Sequence, residues 1–298
     1  VERTAFLFPG NNSSYEDALA ALKVHPVAGG FLDAALALHR SSVGEFNTPQ
    51  GKEVYDSLLI HALSCAICDI YKAKGIRPAV VSGYSLGMYP SLYCAGVCSY
   101  EDSLKMLMDT LLCTRDFFAT QKEEFGMGAI IGLSEDELVC QVFPSLSGRL
   151  EIASYNGARS FVVVGPRKPV RTCLQKSESL GAFRAVPLCT PHGYHSRMLG
   201  KAAQTLPLAW RNLQFKEPEC TILSPADDRP VHREKIADAM VTNLASPLRW
   251  ATLVNSLPEQ YQVAHAYETG PGDTLTRMSR HITKRLKMIP FSVSTGGQ

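Results

Sequence analysis

The chain has 298 residues, of which 45% are hydrophobic and 19% charged, with a formal net charge of +2. That length holds one large domain, or a large one with a smaller insert, around a sizeable core. The balanced charge excludes a basic nucleic-acid-binding face or a disordered polyelectrolyte, so no nucleic-acid partner is expected. No apolar run reaches the roughly 18 residues of a membrane span. The N-terminal VERTAFLFPG lacks the basic start and long apolar core of a signal peptide, and no membrane partner and a cytoplasmic location are expected. Nine cysteines in no framework spacing read as reduced thiols, which fits that compartment.

In chain order, TAFLFPG predicts a strand entering a Pro-Gly turn, and residues 54–74 predict an apolar helix ended by Gly75. Cys65 and Cys68 form a C-x-x-C inside that helix and read as buried thiols, since no second cysteine pair lies nearby. PAVVSG at 78–83 predicts a strand, followed by a bend at Ser85 and a helix opening. The next helix starts at a Ser99 cap with Glu101 and Asp102 in its first turn. From 126 to 188 the segments MGAIIG, SEDELVCQVF, LEIASYNG, SFVVVG, KPVRTCLQKSES and AFRAVPL read strand, helix, strand, strand, helix, strand. That βαββαβ order predicts a ferredoxin-like small subdomain at 126–188, inserted between the two parts, 1–125 and 189–298, of an α/β large subdomain.

Chemistry is signalled first by Gly83-Tyr84-Ser85-Leu86-Gly87, a G-x-S-x-G pentapeptide between a strand and a helix. Small residues two places either side of a serine let strand and helix approach closely, holding the hydroxyl up at a sheet edge beside the free N–H groups of a helix start. A tight turn that merely needs small residues produces the same pattern. The second signal is CTPHGYHSRML, with His192 and His195 in a turn. A serine nucleophile needs a base in hydrogen-bond reach, and histidine titrates in the right range. The H-x-x-H spacing lies in a loop without further ligands, so no metal is expected.

Six segments in order then resemble one family: FLFPG at 6–10, GIRPAVVSGYSLGMYPSLYCAGVCSYEDSL at 75–104, SYNGARSFVVVG at 154–165, HGYHSRML at 192–199, NLASPLRW at 243–250 and ETGPGDTLTRM at 268–278. They are similar to the malonyl-CoA:acyl-carrier-protein transacylases, including the acyltransferase domains of polyketide synthases. The resemblance implies an α/β-hydrolase-like large subdomain, a ferredoxin-like small one and ping-pong transfer through an acyl-serine. It implies Ser85 as nucleophile, His195 as base, and the main-chain carbonyl of Asn243 as the group orienting that base. It places the oxyanion between the N–H groups of Leu86 and Asn11. Tyr84, Thr110, His192 and Asn156 fall at positions near the substrate. No bound cofactor is implied; CoA and phosphopantetheine thioesters are the substrates, and acyl carrier protein is the partner, in fatty acid or polyketide synthesis.

The departures bear on the acyl group. Malonyl-transferring members carry an arginine 25 residues after the nucleophile, and this chain has Thr110 there. Threonine cannot neutralise a semi-buried carboxylate. Arg115 lies five residues further, roughly 140° around the helix, and reaches the same place only if the helix is irregular. Tyr84 replaces the usual histidine, Met88 the usual glutamate, and the loop Asn11-Asn12-Ser13-Ser14 lacks a second glycine. Four readings stand open: transfer of an acyl group without a free carboxylate, hydrolytic release of acyl groups from carrier protein, malonyl transfer despite Thr110, and a non-catalytic scaffold that binds carrier protein. Segment 277–287, RMSRHITKRLK, concentrates five basic side chains and reads either as a docking patch for an acidic partner or as a solvated helix face.

Overall fold

The structure, a computed structural model, describes residues 2–11, 13–42, 48–146 and 149–292; Asn12 of the loop after Gly10 lies outside the described residues. The strands are β1 (Arg3–Phe8), β2 (Val80–Gly83), β3 (Phe125–Ile131), β4 (Glu151–Gly157), β5 (Ser160–Pro166), β6 (Arg184–Pro187), β7 (Thr221–Ile222), β8 (Val263–Glu268) and β9 (Lys287–Ile289). They form two sheets, ordered β7-β2-β1-β8-β9 and β4-β5-β3-β6.

The first sheet is parallel throughout. Parallel strands are covered by helices on both faces, and Ala5 to Phe8 of β1 are accordingly all fully buried. Phe6 and Phe8 join the core built around the helix Pro49–Ala73, while Ala5 and Leu7 face the opposite layer with Val80, Trp250, Leu253 and Val254. Register aligns the strand ends: Phe8 pairs with Gly83 and Leu7 with Glu268. The loops leaving β1, β2 and β8 therefore emerge side by side at the carboxyl edge of the sheet, where α/β folds place their ligands.

The second sheet is antiparallel, with the first and third strands of the segment, β3 and β5, central and β4 and β6 at its edges. Helix Arg167–Ser179 covers one face through Val170, Cys173 and Leu174, which pack with Ile130 and Val163. This is the ferredoxin-like arrangement expected of the βαββαβ order. Two backbone bonds, Tyr155 N–H to the Leu248 carbonyl at 2.8 Å and Leu248 N–H to the Ala153 carbonyl at 2.9 Å, tie edge strand β4 to the large unit.

Several elements differ from expectation. The helix expected at 54–74 runs Pro49–Ala73, because Pro49 opens it and the Thr48 hydroxyl caps it by accepting from Gly51 N–H. Its length and composition would allow it to cross a bilayer, contrary to the expectation of no such stretch, yet 83% of that window is buried within the fold, Cys65 and Cys68 included. Residues 134–143, expected as one helix, are instead a turn with a Ser134–Glu137 capping box and a π turn (Leu138–Val142) that runs into a 3-10 turn (Phe143–Ser145), since Pro144 cannot donate to a regular helix. The basic segment 277–287 is not a helix face: the helix Thr274–Ser279 stops there and β9 begins at Lys287.

Candidate active site

Ser85 stands at the bend between β2 and a 3-10 turn, Ser85–Gly87, that leads into the helix Met88–Cys94. Its φ is 57°, a conformation an L-residue adopts only under constraint. The flanking glycines supply that constraint. A Cβ on Gly83 would lie 1.9 Å from the carbonyl carbon of Gly87, and one on Gly87 would lie 2.1 Å from the Phe8 oxygen. Strand, turn and β1 thus pack closer than any side chain allows.

His195 reaches this bend from the segment after β6. Its own φ is 58°, and its N–H donates to the Leu244 carbonyl at 3.0 Å. Nδ1 lies 2.7 Å from the main-chain oxygen of Asn243 and Nε2 lies 2.8 Å from Ser85 Oγ. A carbonyl only accepts, so Nδ1 carries the proton and Nε2 is left to accept from the serine hydroxyl. Burial holds the imidazole down to about 4, against the opposing pull of the Asn243 carbonyl. It is therefore neutral near pH 7 with a free lone pair aimed at Ser85. Asn243 acts twice, since its side-chain Nδ2 also donates to the Ser85 carbonyl at 3.1 Å.

The other expected residues divide. Leu86 is buried in the turn after Ser85, where the first N–H groups lack intrahelical acceptors. Asn11 follows Pro9-Gly10 at the end of β1 and lines a cleft of 1510 Å³ between the two units. His192 is buried in the same cleft, its ring stacked on Phe118 at 5.1 Å and 8°. Ser85 and His195 do not line that cleft. Tyr84 turns away from it: its hydroxyl donates to Ser154 Oγ at 2.9 Å and its ring packs edge-on against Trp250. Asn156 completes that group by accepting from Ser154 Oγ at 2.6 Å.

Thr110 is buried on the regular helix Tyr100–Ala119, where it donates to the Met106 carbonyl and accepts from Tyr89 OH at 2.7 Å. The helix is continuous from Tyr100 to Ala119, and Arg115 lines the cleft, paired with Asp116. Burial first, and Arg115 second, hold His192 down to about 4.

One cleft residue was missed by the sequence reading. Glu53 is buried, accepts from Tyr194 OH at 2.9 Å and Thr190 Oγ1 at 3.3 Å, and is pushed up to about 7 by burial. The signal was its phase: Ser57, Ile60 and Ser64, at spacings of a buried helix face, share its side of the helix Pro49–Ala73.

The acyl transferase domain family matches residues 54–280, more than half of the chain. The chain belongs to that acyl transferase family. Among curated relatives, the malonyl CoA-acyl carrier protein transacylase of Haemophilus influenzae is 29% identical over 235 residues, covering 76% of this chain and 73% of the relative. The polyketide biosynthesis protein ThaF of Burkholderia thailandensis is also 29% identical, over 95% of this chain, which spans 24% of that longer protein. A malonyl-transacylase solved in complex with its type II polyketide synthase acyl-carrier protein superposes with a TM-score of 0.86 at 25% identity, covering 98% of this chain and 97% of that one. As an acyltransferase the chain is an enzyme, and the two-unit α/β fold is that of these transacylases.

Proposed function

We propose that this acyltransferase moves an acyl group between thioester carriers, CoA or the phosphopantetheine of an acyl carrier protein, through an acyl ester on Ser85, and that the group lacks a free carboxylate. The observation that carries the reading is the alignment of Ser85 Oγ, His195 Nε2 and the Asn243 carbonyl at 2.8 and 2.7 Å.

In that reading His195 Nε2 takes the Ser85 proton as Oγ attacks the thioester carbonyl, and the N–H groups of Leu86 and Asn11 receive the developing oxyanion. Collapse of the tetrahedral intermediate expels the thiolate, which takes the proton back from His195. A second carrier thiol then attacks the ester by the same steps in reverse. A carbonyl behind the histidine makes a weaker base than a carboxylate, which suffices for a thioester.

Specificity is assigned to Thr110. Its oxygen is committed to Tyr89 and Met106, and leaving a malonyl carboxylate unpaired there would cost several kcal/mol. Carrier docking is supported by the names of the relatives and by Arg277, Arg280, Lys284, Arg285 and Lys287, all exposed on one short segment.

Intact-mass spectrometry after incubation with malonyl-, acetyl- and octanoyl-CoA, with and without acyl carrier protein, tests this, with Ser85→Ala as control. A non-malonyl adduct that moves from Ser85 to the carrier is expected. An adduct lost to water would make the protein a hydrolase, a stable malonyl adduct would overturn the role given to Thr110, and no adduct would leave a scaffold.

A further inference from the structure

Glu53 is an ionisable group in the cleft that the acyl-transfer steps do not use. Its side chain is 6% exposed and opens on the cleft. Oε1 is occupied by the hydroxyls of Tyr194 and Thr190. Oε2 accepts no hydrogen bond among the described residues; its nearest polar neighbour is His192 Nε2 at 3.8 Å, beyond hydrogen-bond reach. Both ring nitrogens of His192 are buried without a hydrogen-bond partner among the described residues. An imidazole buried without a partner beside a carboxyl oxygen that opens on the cleft is expensive unless something fills the gap.

The gap suits one chemical group. An oxygen about 2.8 Å from each atom would span 3.8 Å, donating to Glu53 Oε2 and accepting from His192 Nε2–H. A hydroxyl does both. A carboxylate offers no proton and would meet Glu53 as a like charge.

The position fits the acyl chain. Tyr194, which holds Oε1, is the residue before His195, with ring centroids 6.5 Å apart.

Resting on the acyl-transfer reading above, we infer that Glu53 is a specificity-determining residue: with His192 it binds a hydroxyl carried on the acyl chain and rejects chains that end in a carboxylate.

The test is calorimetric binding to Ser85→Ala protein of octanoyl-pantetheine and its 3-, 5- and 7-hydroxy derivatives, with malonyl-pantetheine as the anionic probe. At least one hydroxylated chain is expected to bind about tenfold or more tightly than octanoyl, the worth of a hydrogen bond to a charged group. Adding Glu53→Leu should abolish the difference while leaving octanoyl binding in place, and Glu53→Gln should raise malonyl binding about tenfold. His192→Phe, which keeps the stack on Phe118, should also weaken the hydroxyl preference. Equal binding of all four octanoyl ligands, or a preference that survives Glu53→Leu, would overturn the inference and assign the gap to a water. Wild-type acylation, followed separately by mass, keeps the two readings apart: a hydroxyl preference without any Ser85 adduct would sink acyl transfer and support the Glu53 site.

Discussion

Ser85 Oγ and His195 Nε2 meet at 2.8 Å from two residues that are both held in the left-handed backbone region, at φ 57° and 58°. Neither residue is glycine, asparagine or aspartate, so each bend costs about 1–2 kcal/mol that the surrounding packing offsets. The bends aim the two side chains at one another from segments 110 positions apart.

Removing the Cβ at Ser85 relieves that strain. Ser85→Gly and Ser85→Ala both lose the hydroxyl and should both be inert toward acyl thioesters. Ser85→Gly should nonetheless be the more stable of the two by about 1 kcal/mol, a melting temperature about 2–4 °C higher in a chain of this size. Equal melting temperatures would show that the bend is relaxed.

The buried, neutral His195 sets the pH response of acylation. Its value near 4 means that the base form is fully present from pH 6 upward and is lost as pH falls through about 4. Single-turnover acylation of Ser85 by octanoyl-CoA, read by mass, should be flat between pH 6 and 8 with an acid limb near 4. Stability moves in the same direction. His195, His192 and His61, held at about 4, 4 and 3 by burial, all bind protons more readily unfolded, where histidine titrates near 6.5. The fold therefore loses stability as pH drops below 6.5, and the loss continues to about pH 3. An acid limb near 6.5 would mean that His195 is solvated in the working enzyme.

Much of this site could be read from residue order because its glycines answer to geometry. A Cβ on Gly83 or Gly87 would meet backbone atoms at 1.9 and 2.1 Å, a requirement that shows in sequence as G-x-S-x-G. His195 emerged from the block around it. Asn243 was legible only as a main-chain carbonyl, since whether its amide also reaches Ser85 depends on how the helix Ile236–Ala245 packs. Glu53 stayed hidden because the reading began its helix at 54, and a charge before a helix looks solvated. The capping Thr48 and Pro49 add the turn that carries Glu53 inward. Tyr84 was expected near the acyl group because it stands where the malonyl-transferring enzymes usually have histidine. The partners that turn its hydroxyl away, Ser154 and Asn156, lie in the other sheet.

The amide of Asn243 is a positioning group with a measurable share in the rate. Asn243→Ala keeps the main-chain oxygen on His195 but removes the 3.1 Å bond to the Ser85 carbonyl. A net hydrogen bond of about 0.5–1.5 kcal/mol predicts a loss of roughly 2- to 10-fold in the acylation rate constant, with thioester binding unchanged. His195→Ala should cost orders of magnitude more. A loss in binding with an intact rate constant would remove Asn243 from the elbow and place it at the substrate.

Glu53 makes a separate prediction for stability. Burial raises its folded value to about 7 from 4.5, so the folded state holds the proton more tightly than the unfolded one, and stability declines as pH rises from about 4.5 to 7. Above 7 the ionised carboxyl sits in the cleft with one oxygen unmatched. Glu53→Gln keeps an acceptor for Tyr194 and Thr190 and cannot ionise. It should match wild type near pH 4.5 and exceed it by up to about 3 kcal/mol at pH 8, a gain of several degrees in melting temperature. Melting curves of both proteins at the two pH values check this, and an equal gap at both would mean that the carboxyl does not ionise in place. Addition of a hydroxylated acyl-pantetheine at pH 8 should narrow the gap, because that ligand binds the protein that retains the carboxylate more tightly and stabilises it more.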